Sequence, residues 1–246
     1  MASESDGTTV AAPQTVDGAT ENVYDYSNFY YSSSDDLFAI FEPYDEWWYG
    51  NARKSGYYLF SQPMSTRPGP QINLEDQLTH EHRELMNLAS YNYLGLSYHP
   101  EVIAAAKDAL DHYGLGAAGS PILSGTMDLH LTLERELAVF KKKPAAMVFP
   151  TGYSTNVGLL SALLRPGDWA ILDQNVHASI VDGVIMSKAN VRFFRHNRPD
   201  DLEKKLKGTS GKRLVVVEGV YSMDGDTARL PELVAIAKNA GARVMI

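Results

Sequence analysis

Three short stretches hold residue types able to manage an anion or a proton. In "PTGYSTN", Gly152 and Tyr153 stand at what reads as the start of a helix. Backbone N–H groups and the positive end of the helix dipole attract phosphate there, and a glycine lets the anion come close. "QNVHAS" puts His177 at a second helix start, poised for acid–base work or for stacking on a planar ligand. "EGVYSMDGD" gathers Glu218, Ser222, Asp224 and Asp226 in one turn. Its D-G-D spacing is not that of a calcium loop, whose glycine stands sixth. Each stretch also has a plainer reading: a strand-to-helix turn, an exposed histidine, a polar turn. A fourth, "YGLGAAGSPILSGTMDLH", spaces Gly114, Gly116 and Gly119 as a dinucleotide-binding turn does. That spacing has meaning only where a strand feeds the glycines and a helix leaves them.

The elements around these stretches decide between such readings. Val102, Ala105, Ala106, Ala109, Leu110 and Tyr113 share one 3.6-period face, which predicts a helix over 100–113 ending at Gly114. The glycines thus follow a helix, and Pro121 and Gly125 oppose a helix start at Gly119. Both conditions for a dinucleotide turn fail. What is left is a long glycine-rich loop whose backbone can approach a ligand or a second subunit, or equally a plain helix-ending loop. Farther on, the pattern predicts helices at 129–142, 153–164, 178–189, 200–207 and 231–240. Strands are expected at 146–149, 169–173, 191–194, 213–218 and 242–246. Such alternation predicts an α/β fold, its sheet mostly parallel with helices on both faces, and ligands bind such sheets beyond the carboxyl ends of the strands. "HEH" at His80–His82 lacks an evident third metal ligand, and "KKK" at Lys141–Lys143 reads as solvated charge closing a helix.

Composition narrows the partners. A formal charge of -8 argues against general nucleic-acid binding, and the lack of cysteine excludes disulfides, thiolate zinc sites and a cysteine nucleophile. Residues 1–22 contain no Lys or Arg and read as a disordered tail, neither a secretory signal nor a mitochondrial presequence. No apolar run approaches the roughly 20 residues that span a bilayer, so a soluble, cytoplasmic protein is expected. The stretch 23–85 is an aromatic-rich arm, with "NFYY" and "EPYDEWWYG" but no sustained period, and the regular pattern occupies 86–246. The last predicted strand, "ARVMI", has the make-up of a buried strand and closes at Ile246 without a loop. A fragment of a longer protein is therefore expected.

Taken together, "NLASYNYLGLSYHPEV", the glycine loop, "FPTGYSTNVG", "DQNVHASIVDG", "FFRHN" and "VVVEGVYSMDGD" resemble the α-oxoamine synthase family. These are pyridoxal-phosphate (PLP) enzymes of the type I fold, and the likeness covers residues from about 86 to 246. The resemblance implies the large domain of that fold, incomplete at its C-terminus, and a homodimer. It implies condensation of an amino acid with an acyl-CoA or acyl-carrier thioester, usually with loss of carbon dioxide. By the same resemblance, Gly152 and Tyr153 would hold the cofactor phosphate. His177 would stack on the pyridine ring and steer the substrate carboxylate, and Ser222 would hydrogen-bond the phenolic oxygen with Glu218 supporting that strand end. Asn92 would reach the substrate carboxylate across a dimer interface. Ser120, in the loop near the acyl-CoA entrance, would contact substrate, although Pro121 stands where many relatives carry Arg. The Schiff-base lysine and the aspartate that pairs the pyridine nitrogen are expected beyond Ile246, so these 246 residues alone should be inactive. A non-catalytic partner subunit and a type I aminotransferase are the competing readings.

Overall fold

The computed structural model describes residues 34–47, 63–76 and 80–246. The expected tail at 1–22 lies outside the described residues, as do 23–33, 48–62 and 77–79 of the aromatic arm. The chain divides into two units, Met1–Gly116 and Ala117–Ile246, and the boundary expected at 85–86 falls inside the first.

In the first unit, Phe41–Asp45 forms a short helix, α1, and Gln71–Glu75 (β1) pairs antiparallel with His82–Met86 (β2). Neither the helix nor the hairpin has a sequence period long enough to predict it. His82 opens β2, whereas His80 lies in the connection with a φ of 56° and sets its Nδ1 3.1 Å from Glu75. Helix α2, Pro100–Tyr113, has the predicted bounds: proline stands in its first turn, and Gly114 closes it with a φ of 77° that favours glycine.

The second unit opens with α3, Asp128–Phe140, well downstream of Gly119, so no helix begins at the glycines. Gly125 instead packs on the Gly119 carbonyl so closely that a Cβ would collide with it. Then follow α4 (Gly152–Leu163), β3 (Trp169–Asp173), α5 (Ala178–Ser187), β4 (Asn190–Phe194), α6 (Pro199–Leu206), β5 (Arg213–Val216), α7 (Leu230–Asn239) and β6 (Arg243–Met245). All four strands are parallel, in the order β4-β3-β5-β6.

Alternation along the strands makes two cores from one sheet. Ala170, Leu172, Leu214 and Val216 point toward α4 and α5, where they bury Leu160, Ile180 and Val184. Ile171, Val215 and Val217 point the other way, onto Leu202, Leu206, Leu233 and Ala237 of α6 and α7. Each such side chain adds about 1.5–3 kcal/mol on full burial. Helices α4 and α5 approach closely because Gly183 has no side chain; a Cβ there would lie 2.9 Å from the Asn156 carbonyl and 3.1 Å from the Val157 Cα. The α/β class with a mostly parallel sheet is as expected.

One predicted strand does not form. Residues 145–149 join no ladder, and the Val148 N–H goes to the Glu134 carboxylate at 3.1 Å. An apolar run becomes a strand only when it pairs with another strand, and the open edges of the sheet, at β4 and β6, are not taken by this segment. The remaining elements differ from expectation by a residue or two at their ends.

Candidate functional site

Three connections leave the carboxyl ends of strands or enter helices on the same side of the second unit, and together they wall a cavity of about 430 Å³. Its floor includes Val216 and Val217, at the end of β5. Helix α4 presents its N-terminus to one side. Thr151 caps it by accepting the Ser154 N–H at 3.0 Å, while the Ser154 side chain returns to Thr151. Gly152 follows, with nothing within 4 Å of where a Cβ would stand, and so offers open backbone to the cavity. The Tyr153 hydroxyl donates to Asp182 of α5 at 2.6 Å. That hydrogen bond, ahead of burial and the Asp182 charge, holds its phenol above the usual tyrosine value.

His177 caps α5 with its own side chain. Nδ1 accepts the Ser179 N–H at 3.1 Å and lies 2.7 Å from the Ser179 Oγ, which in turn accepts from Asn156 Nδ2 at 2.9 Å. With Nδ1 occupied as acceptor, the neutral ring carries its proton on Nε2. The ring is exposed, with its position set by a fully buried serine. The His177 backbone N–H donates to Glu218 Oε1, so a residue just past β5 fixes the loop that follows β3. Ser222 lies exposed on the turn after β5, and its hydroxyl has no hydrogen-bond partner among the described residues.

The structure thus brings Gly152, Tyr153, His177, Glu218 and Ser222 to one cavity. Ser120 is not among its lining residues; its carbonyl accepts three backbone N–H groups, from Leu123, Ser124 and Gly125. Asn92 belongs to the first unit, where its side chain accepts from Ser97 and donates to the Pro68 carbonyl. Sequence reasoning did not single out Asn156 and Ser179. A signal existed for both: Asn156 stands three residues after Tyr153 on the same helix face, and Ser179 lies two after His177.

Behind this cavity is a second cluster. Asp173, fully buried, accepts from the Asn175 N–H (2.9 Å), the Asn197 N–H (2.8 Å) and His196 Nδ1 (2.9 Å). His196 Nε2 lies 3.1 Å from Asp226 Oδ2, and Asn197 Nδ2 reaches the same oxygen at 3.0 Å. The buried Tyr221 ring meets the imidazole edge-on at 4.5 Å. Burial, with the Asp173 charge next, pushes the Tyr221 phenol well above its ordinary value.

A groove of similar size, about 450 Å³, runs along α6 and α7 past Leu206 and Ile236. It carries only Glu203, Lys207 and Asn239 as polar side chains, with no helix N-terminus facing them. The first cavity is the better ligand site, because open helix N–H groups, an exposed imidazole and a free hydroxyl converge on it. Those groups fit a flat, phosphorylated aromatic ligand. No lysine is among the cavity's lining residues.

Residues 83–246 match the model of the family described as "Aminotransferase class I and II". The 8-amino-7-oxononanoate synthase of Geobacter sulfurreducens is 46% identical over 197 residues, 79% of this chain and 49% of that protein. The serine palmitoyltransferase of Sphingomonas paucimobilis is 46% identical over 167 residues, 67% of this chain and 40% of that one. A structure of the S. paucimobilis serine palmitoyltransferase with PLP and myriocin bound superposes with a TM-score of 0.78 at 38% identity, over 85% of this chain and 52% of that one. The chain spans about half the length of the curated relatives it matches.

Proposed function

The chain belongs to the class I and II aminotransferase family, and from that premise we propose that it serves an α-oxoamine synthase reaction. An amino acid condenses with an acyl thioester, with PLP as cofactor, and carbon dioxide and the free thiol leave. The observation that carries this reading is the meeting of the α4 N-terminus, the exposed His177 ring and the free Ser222 hydroxyl in one cavity. The relatives named above support the same chemistry.

When bound, PLP withdraws electrons from the carbon beside the amino acid's nitrogen. The remaining work falls to the protein. The Gly152 and Tyr153 N–H groups would take the phosphate at the positive end of α4. The His177 ring would cover one flat face and offer its Nε2–H to the substrate carboxylate. Ser222 would donate to the phenolic oxygen. Glu218 would act through His177, because its carboxylate holds that residue's backbone N–H. We assign Asn92 to the substrate carboxylate across a homodimer interface, Ser120 to the acyl-CoA entrance and the protein to the cytoplasm. Tyr91, Tyr93 and Leu94, each more than 80% exposed, support an interface around Asn92. In addition, no helix of the described residues is long and apolar enough to cross a membrane.

Because the chain spans about half the length of its relatives, the test is made on the full-length protein, which should bind PLP saturably, as read by absorbance and tryptophan quenching. It should release thiol from an acyl-CoA only when PLP and a small amino acid are both present. His177→Ala should keep PLP affinity within a few-fold yet lower amino-acid affinity or rate about tenfold or more, the effect of one lost hydrogen bond to a charged group. Protein that neither binds PLP nor releases thiol sinks the reading. Unaltered amino-acid kinetics in His177→Ala would remove that residue from the site.

A further inference from the structure

We propose that His196 is a positioning residue: by bridging Asp173 and Asp226 it holds the turn 219–228, and with it Ser222 and Glu218, against the loop that carries His177. The geometry requires a particular form of the ring. Nδ1 faces Asp173 Oδ1 at 2.9 Å and Nε2 faces Asp226 Oδ2 at 3.1 Å. A neutral imidazole has one N–H, so one of these contacts would set two lone pairs against each other; only the doubly protonated ring donates to both carboxylates. The side chain is 19% exposed, which leaves its charge poorly screened.

The groups facing His196 come from two elements. Asp173 ends β3, while Asp226, Asp224 and Tyr221 belong to the turn after β5. Tyr221 remains neutral, and Asp224 is partly occupied by Asn175 Nδ2 at 2.9 Å. Three carboxylates therefore surround one cation. Burial is the largest influence on His196 and acts to neutralise it, but the hydrogen bonds and charges of Asp173 and then Asp226 together prevail and raise its pKa.

The clasp reaches the cavity through short links. Asp173 also orders Asn175, two residues before His177. Asp226 belongs to a turn closed by the Tyr221 N–H on the Asp226 carbonyl at 2.9 Å and by the Val220–Thr227 bridge. Gly225, with a φ of 71°, gives that turn its left-handed residue. Ser222 lies within it and Glu218 just before it. The consequence for PLP rests on the function proposed above; the clasp itself does not.

Hydrogen–deuterium exchange of the full chain without ligand, corrected for intrinsic rates, tests the clasp between pH 6 and 10. Peptides covering 218–229 should lose about tenfold or more in protection as His196 deprotonates, while the first turns of α6 do not change. His196→Gln, which keeps one donor but cannot bridge both carboxylates, should show low protection at every pH. Should that variant fail to fold, Asp226→Asn changes only the half-exposed partner and should give the same flat profile. A pH-independent turn in the unmodified protein, or full protection in a folded His196→Gln or Asp226→Asn, overturns the proposal. PLP titration of the same variants separates the two readings: affinity that falls with turn protection supports both. A protected turn in protein that never binds PLP leaves the clasp standing and removes the cofactor.

Discussion

Two polar clusters sit side by side at the carboxyl end of the sheet, and they use their hydrogen bonds differently. Around Asp173 the charged and amide groups are turned inward: three donors converge on one carboxylate, and both imidazole nitrogens of His196 are occupied. Around His177 the pattern is half complete. Nδ1 is tied down by Ser179, while Nε2 and the Ser222 hydroxyl have no partner among the described residues and both residues line the cavity. A histidine whose nitrogens are both satisfied within the protein holds structure, and one with a nitrogen to spare can hold a ligand. The two rings have the same chemistry; their neighbours decide the task.

The largest test of that contrast is Asp173→Ala. It strands a half-buried imidazolium and two backbone N–H groups at a fully buried site, and should cost about 3 kcal/mol by urea denaturation. It should also remove a pH dependence. Because the His196 pKa is raised in the folded state, its stabilising effect is complete below the ordinary imidazole value and is lost as pH rises through the raised one. The alkaline fall in stability should be absent from the variant. An Asp173→Ala protein within about 1 kcal/mol of the original would erase the distinction between the clusters.

Ser179→Ala sharpens the comparison from the other side. The lost hydroxyl served Asn156 and His177, so stability should drop by about 1–2 kcal/mol. Only the His177 ring should gain freedom, seen as broadening of its NMR signals while those of His196 stay put. Equal broadening of both rings would mean that the clusters act as one. The smallest effect is expected from Tyr153→Phe, which breaks an exposed pair and should leave the urea unfolding midpoint unchanged. Loss of the Asp182 hydrogen bond should, however, be visible as the disappearance of a phenol that titrates above the ordinary tyrosine range.

Residues whose position is set by their own local chain could be located from sequence. Gly152 and His177 stand next to periodic helices whose starts are marked by Thr151 and by "HAS", and the parallel sheet follows from strands alternating with those helices. The clasp could not be read in this way. Asp173 ends β3 while His196 and Asp226 lie in two separate connections, and nothing in their spacing says that one imidazole meets two carboxylates. The run at 146–149 shows the opposite difficulty. Its residues are apolar enough for a strand, but pairing depends on a neighbour that a local pattern does not contain, and Met147 ends up 74% exposed. Asn156 and Ser179 went unremarked because their residue types are common in ordinary helix turns.

The parallel register also bears on how the chain reaches this state. Trp169 pairs with Asn190 on one side and with Arg213 on the other, roughly twice as far along the chain. Each doubling of a closed loop adds about 0.6 kcal/mol of lost chain entropy. The β3–α5–β4 unit is therefore expected to close first, and β5 to dock onto an edge already formed. On that order His177 is in place before Glu218 arrives to grip its N–H, so the ligand cavity would be among the last features to be completed during refolding.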